Sequence, residues 1–526
     1  MASSRSSAVV ARLVVTAGLL AGVIGSTGCA GSAPRSDASA TQANADADRS
    51  DPSDAAGRSV TTDATSVGPT DDPEPIGDEA LPDLGDRDVD VLHYDLDLYY
   101  QPAGGQLEGT AAIDLTIRNP TPNVAFDLKG LEVIAVSVDG QEVGFAHEHA
   151  KLRVDLAQPA GPGDRLRVTV RYGGKPVATP TRALDGVSVG WQVRDGGSYV
   201  LAEPEGARTW YPVNEHPQDK ASYDITVTVP DGLVAVANGE LVADEQSPAG
   251  HRTFHWQMAD PMAPYLATVV IGTYAKSEAE GPDGLPLVAW VSATASHGDM
   301  PGRPRPPVPE TEPADLLTRQ HAALTLLTSK LGPFPFASYG AVVLPRDGVE
   351  PFFDGVAIET QALSLFGAGT IDPATLVHEA AHQWMGNSVS LTDWSRDIWW
   401  VEGFARFSEW LWSEETHGER AYEQQARATH AELADATRPY PAGALPLDQL
   451  FSSWSYDRGA LVFYSLRAEL GEDTFWSAVR RFIEGHRHAN ATTDDLIAAF
   501  EETSGRSLRG FFTAWLFNRD LPDLPA

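Results

Sequence analysis

His378-Glu379-Ala380-Ala381-His382, followed by Trp400-Val401-Glu402-Gly403-Phe404-Ala405, is the stretch on which the reading of this 526-residue chain turns. On an α-helix, residues four apart lie nearly one above the other, so the imidazoles of His378 and His382 project from one face and can grip a single metal ion. Zinc in hydrolytic sites takes three protein ligands and keeps a fourth position for water, and His378, His382 and Glu402 fill the three. Glu379 is then left beside the water rather than on the metal. A carboxylate in that place can accept a proton from water whose pKa the metal brings down toward about 7. These residue types at this spacing point to a zinc hydrolase.

The same five residues also occur as an ordinary turn of amphipathic helix, so the surroundings matter. Asp372 stands as an N-cap with Pro373 at the first helical position, and Gly386-Asn387 marks an end. A second helix is expected from about Asp397 to His417-Gly418. Glu402, Arg406 and Glu409 share one of its faces, while Phe404, Phe407, Leu411 and several tryptophans cover the rest. Two buried helices, each presenting ligands, are what a metal site needs.

Working outward, the N-terminus carries Arg5 and Arg12, an apolar run from Leu13 to Ile24, and then Ser26-Thr27-Gly28-Cys29. This reads as an export signal over residues 1–29 that ends at a lipid-attachment cysteine, and the run is short for a membrane span. Cys29 is the one cysteine in the sequence, which excludes an intrachain disulfide framework and fits a thioether-linked lipid. Residues 30–85 are dominated by Ala, Ser, Thr, Asp and Pro and read as a disordered acidic tether. Between Ala30 and Ala80 stand 11 acidic and 3 basic residues, a net of −8 against −35 for the whole chain. Most of the acidity therefore belongs to the folded body, and nucleic acid and anionic lipid are poor partners for it. The expected location is the cell envelope, anchored by lipid on the outer side of a membrane at the surface or in a periplasm, or secreted without the anchor.

The length calls for two or three globular units. From 86 to 275 short strands alternate with Gly, Pro and Asn-Gly turns; His93–Tyr99, Thr110–Ile117 and Tyr223–Val229 are the clearest, and the reading is an antiparallel β domain. From 276 to 526 helical periodicity takes over, apart from a strand pair around Ala341–Leu344 and Gly355–Glu359.

Several segments, in order, resemble the aminopeptidase N family of zinc metallopeptidases, which also contains leukotriene hydrolase. His378-Glu379-Ala380-Ala381-His382-Gln383-Trp384-Met385-Gly386 is similar to the family's zinc helix, and Glu402-Gly403-Phe404-Ala405 to its second helix. Val356-Ala357-Ile358-Glu359-Thr360 stands where the family has Gly-Ala-Met-Glu-Asn. Ser455-Tyr456-Asp457-Arg458-Gly459-Ala460 is similar to the segment with the catalytic tyrosine, and Glu203-Pro204-Glu205-Gly206-Ala207-Arg208-Thr209-Trp210-Tyr211-Pro212 to the stretch with an amine-binding glutamate. The resemblance runs from about His93 to the C-terminus. It implies a multidomain α+β protein, with a saddle-like β domain followed by a mainly helical, thermolysin-like zinc peptidase domain. It further implies an aminopeptidase acting on peptides with a free N-terminus.

The resemblance also assigns roles. Glu359 and Glu203 would anchor the substrate ammonium, with Glu205 a rival for the latter. The strand edge from Gly355 through Ala357 to Glu359 would pair with the substrate backbone. The phenol of Tyr456 would stabilise the oxyanion beside zinc, and Glu379 would pass its proton to the leaving amine. Departures from the family pattern are one extra residue between His382 and Glu402, placed in the loop from Thr392 to Arg396; Val356, Ile358 and Thr360 in the strand motif; and Leu201 where many relatives have a glutamine. The sequence after Phe511–Phe517 leaves no room for the helical domain that follows in longer relatives, so a more open cleft is expected. The competing expectations are a zinc endopeptidase, which would cut acetylated peptides, and a catalytically silent peptide-binding protein. Epoxide hydrolysis stands on family analogy alone.

Overall fold

In the computed structural model, the described residues are 74–194, 196–292, 312–345, 357–367, 371–436 and 439–525. The expected signal, Cys29, the tether up to residue 73, Gly355 and Val356 lie outside them. Among the described residues no helix is long and apolar enough to cross a membrane.

Alternating side chains make Val89–Gln101 a strand with one buried face. A bulge between Val91 and His93 shifts the phase, so that Val89 and Val91 and then Tyr94, Leu96, Leu98 and Tyr100 all reach the same core. This strand sits inside an eight-stranded sheet ordered 240–247, 251–262, 221–230, 89–101, 106–117, 165–174, 132–138 and 141–142. Neighbours in this sheet pair antiparallel as expected, except that Val89–Gln101 runs parallel to Ala221–Pro230, with Tyr94 opposite Tyr223. Periodicity reports which residues face the core, not which distant strand lies alongside, so the parallel pair is invisible in it. Beside this sheet are a three-stranded sheet of 121–127, 151–160 and 145–148, and a five-stranded sheet of 234–237, 269–272, 197–201, 188–194 and 179–180.

The tether ends earlier than residue 85. Ala80, Leu81 and Leu84 are buried, and Asp86 is fully enclosed, accepting from the amides of Asp88 and Ala125. Three leucine- or alanine-sized anchors suffice to fix a short segment that composition assigns to the linker.

The second half opens with strands, not helix. Tyr274–Glu280 and Pro286–Ser292 form a hairpin at one side of a five-stranded sheet that continues through Tyr339–Val343, Leu363–Phe366 and Ala357–Ile358. The two strands expected here do not pair with each other; Leu363–Phe366 lies between them. Among the described residues Ala357–Ile358 is thereby an edge. The helices are α1 (Pro313–Leu331), α2 (Pro373–His382), α3 (Trp394–His417), α4 (Glu419–Ala434), α5 (Tyr456–Leu470), α6 (Glu472–Gly485), α7 (Thr493–Ser504) and α8 (Arg509–Phe512), with a wide π turn over Thr513–Phe517 closing the sequence of helices. Trp384, Trp394, Trp399, Trp400 and Trp410 are buried between them and make the core around α3.

The β domain and the helices are tied by polar contacts close to the α2–α3 connection. Lys220 Nζ donates to the carbonyls of Asn387 at 2.8 Å and Ser388 at 3.0 Å, and Tyr265 Oη donates to the Gly386 carbonyl at 3.2 Å.

Candidate metal centre

α2 begins as the sequence reading has it. The Asp372 carboxylate accepts from the amides of Ala374 at 3.0 Å and Thr375 at 3.3 Å, with Pro373 in the first turn. The helix stops at His382, a turn before Gly386, where φ of +141° reverses the chain directly over the His382 ring. A Cβ at Gly386 would stand 3.1 Å from His382 Nδ1, a tight contact at a backbone angle that side chains rarely adopt, so a substitution there would press on the ligand ring. α3 starts earlier than expected, at Trp394. Its cap is Asp393, and Asp397 holds the preceding loop by accepting from the amides of Thr392 and Asp393. The segment Thr392–Arg396, where an extra residue is expected, is a short, hydrogen-bonded entry followed by the first turn of α3.

These two helices bring the three ligand candidates together. His378 Nε2 and His382 Nε2 lie 3.5 and 3.6 Å from the same Glu402 oxygen, and the two imidazole rings are 4.9 Å apart at 72°. Glu402 Oε2 is buried with no hydrogen-bond partner. Zinc bonds of about 2.0–2.2 Å in a tetrahedron set donors about 3.3–3.6 Å apart, which is the spacing found. An orphaned carboxylate oxygen facing two imidazole nitrogens, slightly beyond hydrogen-bond reach of both, fits a zinc ion. The rings are also oriented for it: His378 Nδ1 bonds Glu409 Oε1 at 2.8 Å, which turns Nε2 toward the centre. Burial pushes the Glu402 carboxyl up, but the two imidazoles outweigh it and hold it down at about 2.

Around this centre stand the other residues singled out in the sequence. Glu379 lies with Glu359 and His382 in a group whose ligand atoms are within 4.8 Å of one another, and Glu203, Glu359 and Glu402 form another such group. Burial, opposed by His378 and His382, raises Glu379 to about 8. Glu203 is raised well above the usual carboxylate range by burial and then by Glu359 and Glu402, and Glu359 is raised mainly by burial. One oxygen of each, Glu203 Oε1 and Glu359 Oε1, is buried without a partner. Glu205, the alternative to Glu203, is committed to Arg208 and to the Thr181 hydroxyl. Tyr456, the first residue of α5, lies with its ring stacked near His378, 5.9 Å away at 21°. Ala357 is half-buried on the edge strand, next to Ile358 and then Glu359.

Three positioning residues carry no role in the sequence reading. Gln383 donates to the Glu359 carbonyl at 3.2 Å and accepts from the Ala362 amide at 2.8 Å, and Asn387 Nδ2 donates to the same Glu359 carbonyl at 2.5 Å. They pin the turn that presents Glu359. The third, Glu409, shares a face with Glu402 two helical turns on, and that shared face is the signal that it belongs to the site.

Similarity to known proteins agrees with this arrangement. The Peptidase family M1 domain matches residues 372–515 and the Peptidase M1 N-terminal domain residues 91–266. Leucyl aminopeptidase of Saccharolobus solfataricus is 24% identical over 82% of this chain and 54% of its own length. Aminopeptidase N of Streptomyces lividans is 24% identical over 81% of this chain and 50% of its own length. The chain therefore spans about half the length of the curated relatives it matches. The crystal structure of an M1 zinc metallopeptidase from Deinococcus radiodurans superposes with a TM-score of 0.76 at 29% identity, covering 86% of this chain and 100% of that one. A mutant of that enzyme has been crystallised with a Tyr-Ser-Ala substrate, with the same TM-score and coverage.

Proposed function

Since the chain belongs to peptidase family M1, we propose that it is a zinc aminopeptidase that removes residues from the free N-terminus of peptides. The observation that carries this reading is the pair of buried carboxylates, Glu203 and Glu359, each with an unpartnered oxygen and both grouped with the ligand Glu402. An ammonium group is the complement of two such carboxylates, because it restores their hydrogen bonds and cancels their mutual repulsion. An internal peptide bond brings no charge to that place.

His378, His382 and Glu402 would hold zinc, which when bound would supply Lewis-acid polarisation of the scissile carbonyl and of water. The side chains do the rest. Glu203 and Glu359 bind the ammonium and set the peptide in register, with the edge strand at Ala357 and Ile358 offering backbone groups to an extended substrate. Glu379, grouped with His382 and Glu359 beside the ligand set without being one of the three ligands, is placed to take a proton from the attacking water and return it to the leaving amine. Burial and the surrounding carboxylates hold the Tyr456 phenol protonated, so it can donate to the developing oxyanion. The resemblance to a peptide-bound Deinococcus radiodurans enzyme supports peptides as the substrate class.

The test is a pair of peptides identical except for N-acetylation. Release of the first residue from the free peptide alone is expected; cleavage of both would move the assignment to an endopeptidase. We further propose that Cys29 carries a lipid that holds the enzyme at the cell envelope, supported by its place after an export-type apolar run. Cys29→Ala should then move the protein from the membrane fraction to the soluble one, and an unchanged distribution would remove the anchor from the account.

A further inference from the structure

The two helices that carry Glu402 and Tyr456 touch through their backbones. A Cβ on Gly403 would lie 2.5 Å from Gly459 Cα, and one on Gly459 would lie 2.3 Å from the Trp399 carbonyl oxygen. The crossing therefore sits beside both the ligand and the tyrosine, and glycine on each side lets α3 and α5 approach this closely.

One turn beyond Glu402 on α3, Arg406 spans the same crossing. Its guanidinium donates from one nitrogen to Glu409 Oε2 and from Nε to Asp457 Oδ1 at 3.1 Å. Glu409 is the carboxylate that bonds His378 Nδ1, and Asp457 immediately follows Tyr456. The Arg406 side chain is 18% exposed, against 7% for Glu409 and 21% for Asp457, so these contacts are largely shielded from solvent. A continuous path results, from His378 through Glu409, Arg406 and Asp457 to the first turn of α5.

We propose that Arg406 is a positioning residue that fixes the His378 ring and the Tyr456 helix relative to each other, so that metal binding and oxyanion stabilisation are set by one guanidinium. Only a planar fork can serve two carboxylates on different elements in this way; an ammonium is a point charge and satisfies one of them well. The catalytic half of the inference rests on the aminopeptidase reading, while the metal half does not.

The experiment measures zinc affinity, by competition with a chelating dye of known affinity, together with kcat and KM on a free-N-terminus peptide and the unfolding midpoint. It compares the full chain with Arg406→Gln, Arg406→Lys, Asp457→Asn and Arg467→Gln. Arg467 is the control, because it pairs with Glu414 at 2.7 and 3.0 Å between the same two helices at a point away from the metal ligands. Arg406→Gln should weaken zinc binding about 10- to 100-fold and lower kcat about tenfold at little change in KM. Arg406→Lys should recover part of the zinc affinity. Asp457→Asn should lower kcat but keep zinc affinity within about twofold, since Glu409 still has its partner. Arg467→Gln should lower the unfolding midpoint and leave both site readouts unchanged. Wild-type zinc affinity in Arg406→Gln, or the same site losses in Arg467→Gln, would overturn the proposal. Absence of peptidase activity in the wild type would instead overturn the functional reading, with the zinc measurement still deciding the role of Arg406.

Discussion

Gly403→Ala adds a single methyl group at the α3–α5 crossing, and its effect can be worked from the contacts. The new Cβ would meet Gly459 Cα at 2.5 Å, Gly459 C at 2.6 Å and Ala460 N at 3.0 Å, all of them backbone atoms that cannot rotate away. Carbon atoms settle about 3.5–4.0 Å apart, so the helices have to separate by about 1 Å. Overpacking of this kind costs about 1–3 kcal/mol, and rigid neighbours put it at the upper end. Alanine recovers about 1 kcal/mol of helix propensity relative to glycine, which leaves a net loss of about 2 kcal/mol. The kinetic effect should exceed the thermodynamic one. A shift of about 1 Å between the ligand helix and the Tyr456 helix is expected to cost on the order of 100-fold in kcat. Urea unfolding, zinc content and steady-state kinetics on Gly403→Ala read these quantities, with Gly485→Ala alongside. Gly485 ends α6, and a Cβ there would meet nothing within 4 Å, so alanine at that position should be neutral or slightly stabilising. If Gly403→Ala matched Gly485→Ala in stability and retained full kcat, the close crossing would not be what sets the site.

Glu203→Gln keeps the shape but removes the charge that meets the substrate ammonium; a hydrogen bond to a charged group is worth about 1.5–3 kcal/mol, so kcat/KM for free peptides should fall about 10- to 100-fold, and a smaller loss than for Glu205→Gln would reverse the choice between them. His216 is buried, accepts from the Gln218 amide at 3.3 Å, and burial lowers its pKa from 6.5 to about 4 against the opposing charge of Asp78. Its contribution is fully present above about 6.5 and is lost as pH falls through 4, by an amount of about 3 kcal/mol, so denaturation curves of the wild type and His216→Gln taken between these pH values should converge on the acid side; parallel curves would contradict the assignment. Asp78 Oδ2 accepts from the Trp394 amide at 2.9 Å at the start of α3, so Asp78→Ala should cost about 1 kcal/mol in unfolding free energy, whereas no change would mean that residues 74–86 add nothing to the fold.

Much of the site is legible in the sequence because its chemistry is local. His378, Glu379 and His382 lie on one helical turn after a capped start, and Glu402 on the next helix, so spacing together with the helix signals around it brings out the candidate ligand set. The surrounding layer is less legible because it depends on where helices cross. Arg406 and Asp457 are 51 residues apart and meet only because Gly403 and Gly459 allow α3 and α5 to touch. The choice between Glu203 and Glu205 likewise needs the position of Arg208, which captures Glu205. In the fold, the alternation that marks His93–Tyr99 locates a strand but not its parallel neighbour Ala221–Pro230, whose pairing is set by chain topology. The hairpin of Tyr274–Glu280 and Pro286–Ser292 falls largely in what periodicity assigns to helix. Its first strand is mostly exposed and polar, so it carries little apolar alternation to find. Composition places residues 74–85 in the tether, although Leu81 and Leu84 anchor them.

On the proposed function, a metal held by His378, His382 and Glu402 works with Glu379 to release N-terminal residues. The most direct measurement is hydrolysis of a panel of aminoacyl-anilides by the purified protein, with and without chelator, and by Glu379→Ala loaded with zinc to the same content. Release should stop with chelator, return with zinc, and fall by several orders of magnitude in Glu379→Ala despite bound metal. Release that persists in zinc-loaded Glu379→Ala, or that ignores the chelator, would contradict it.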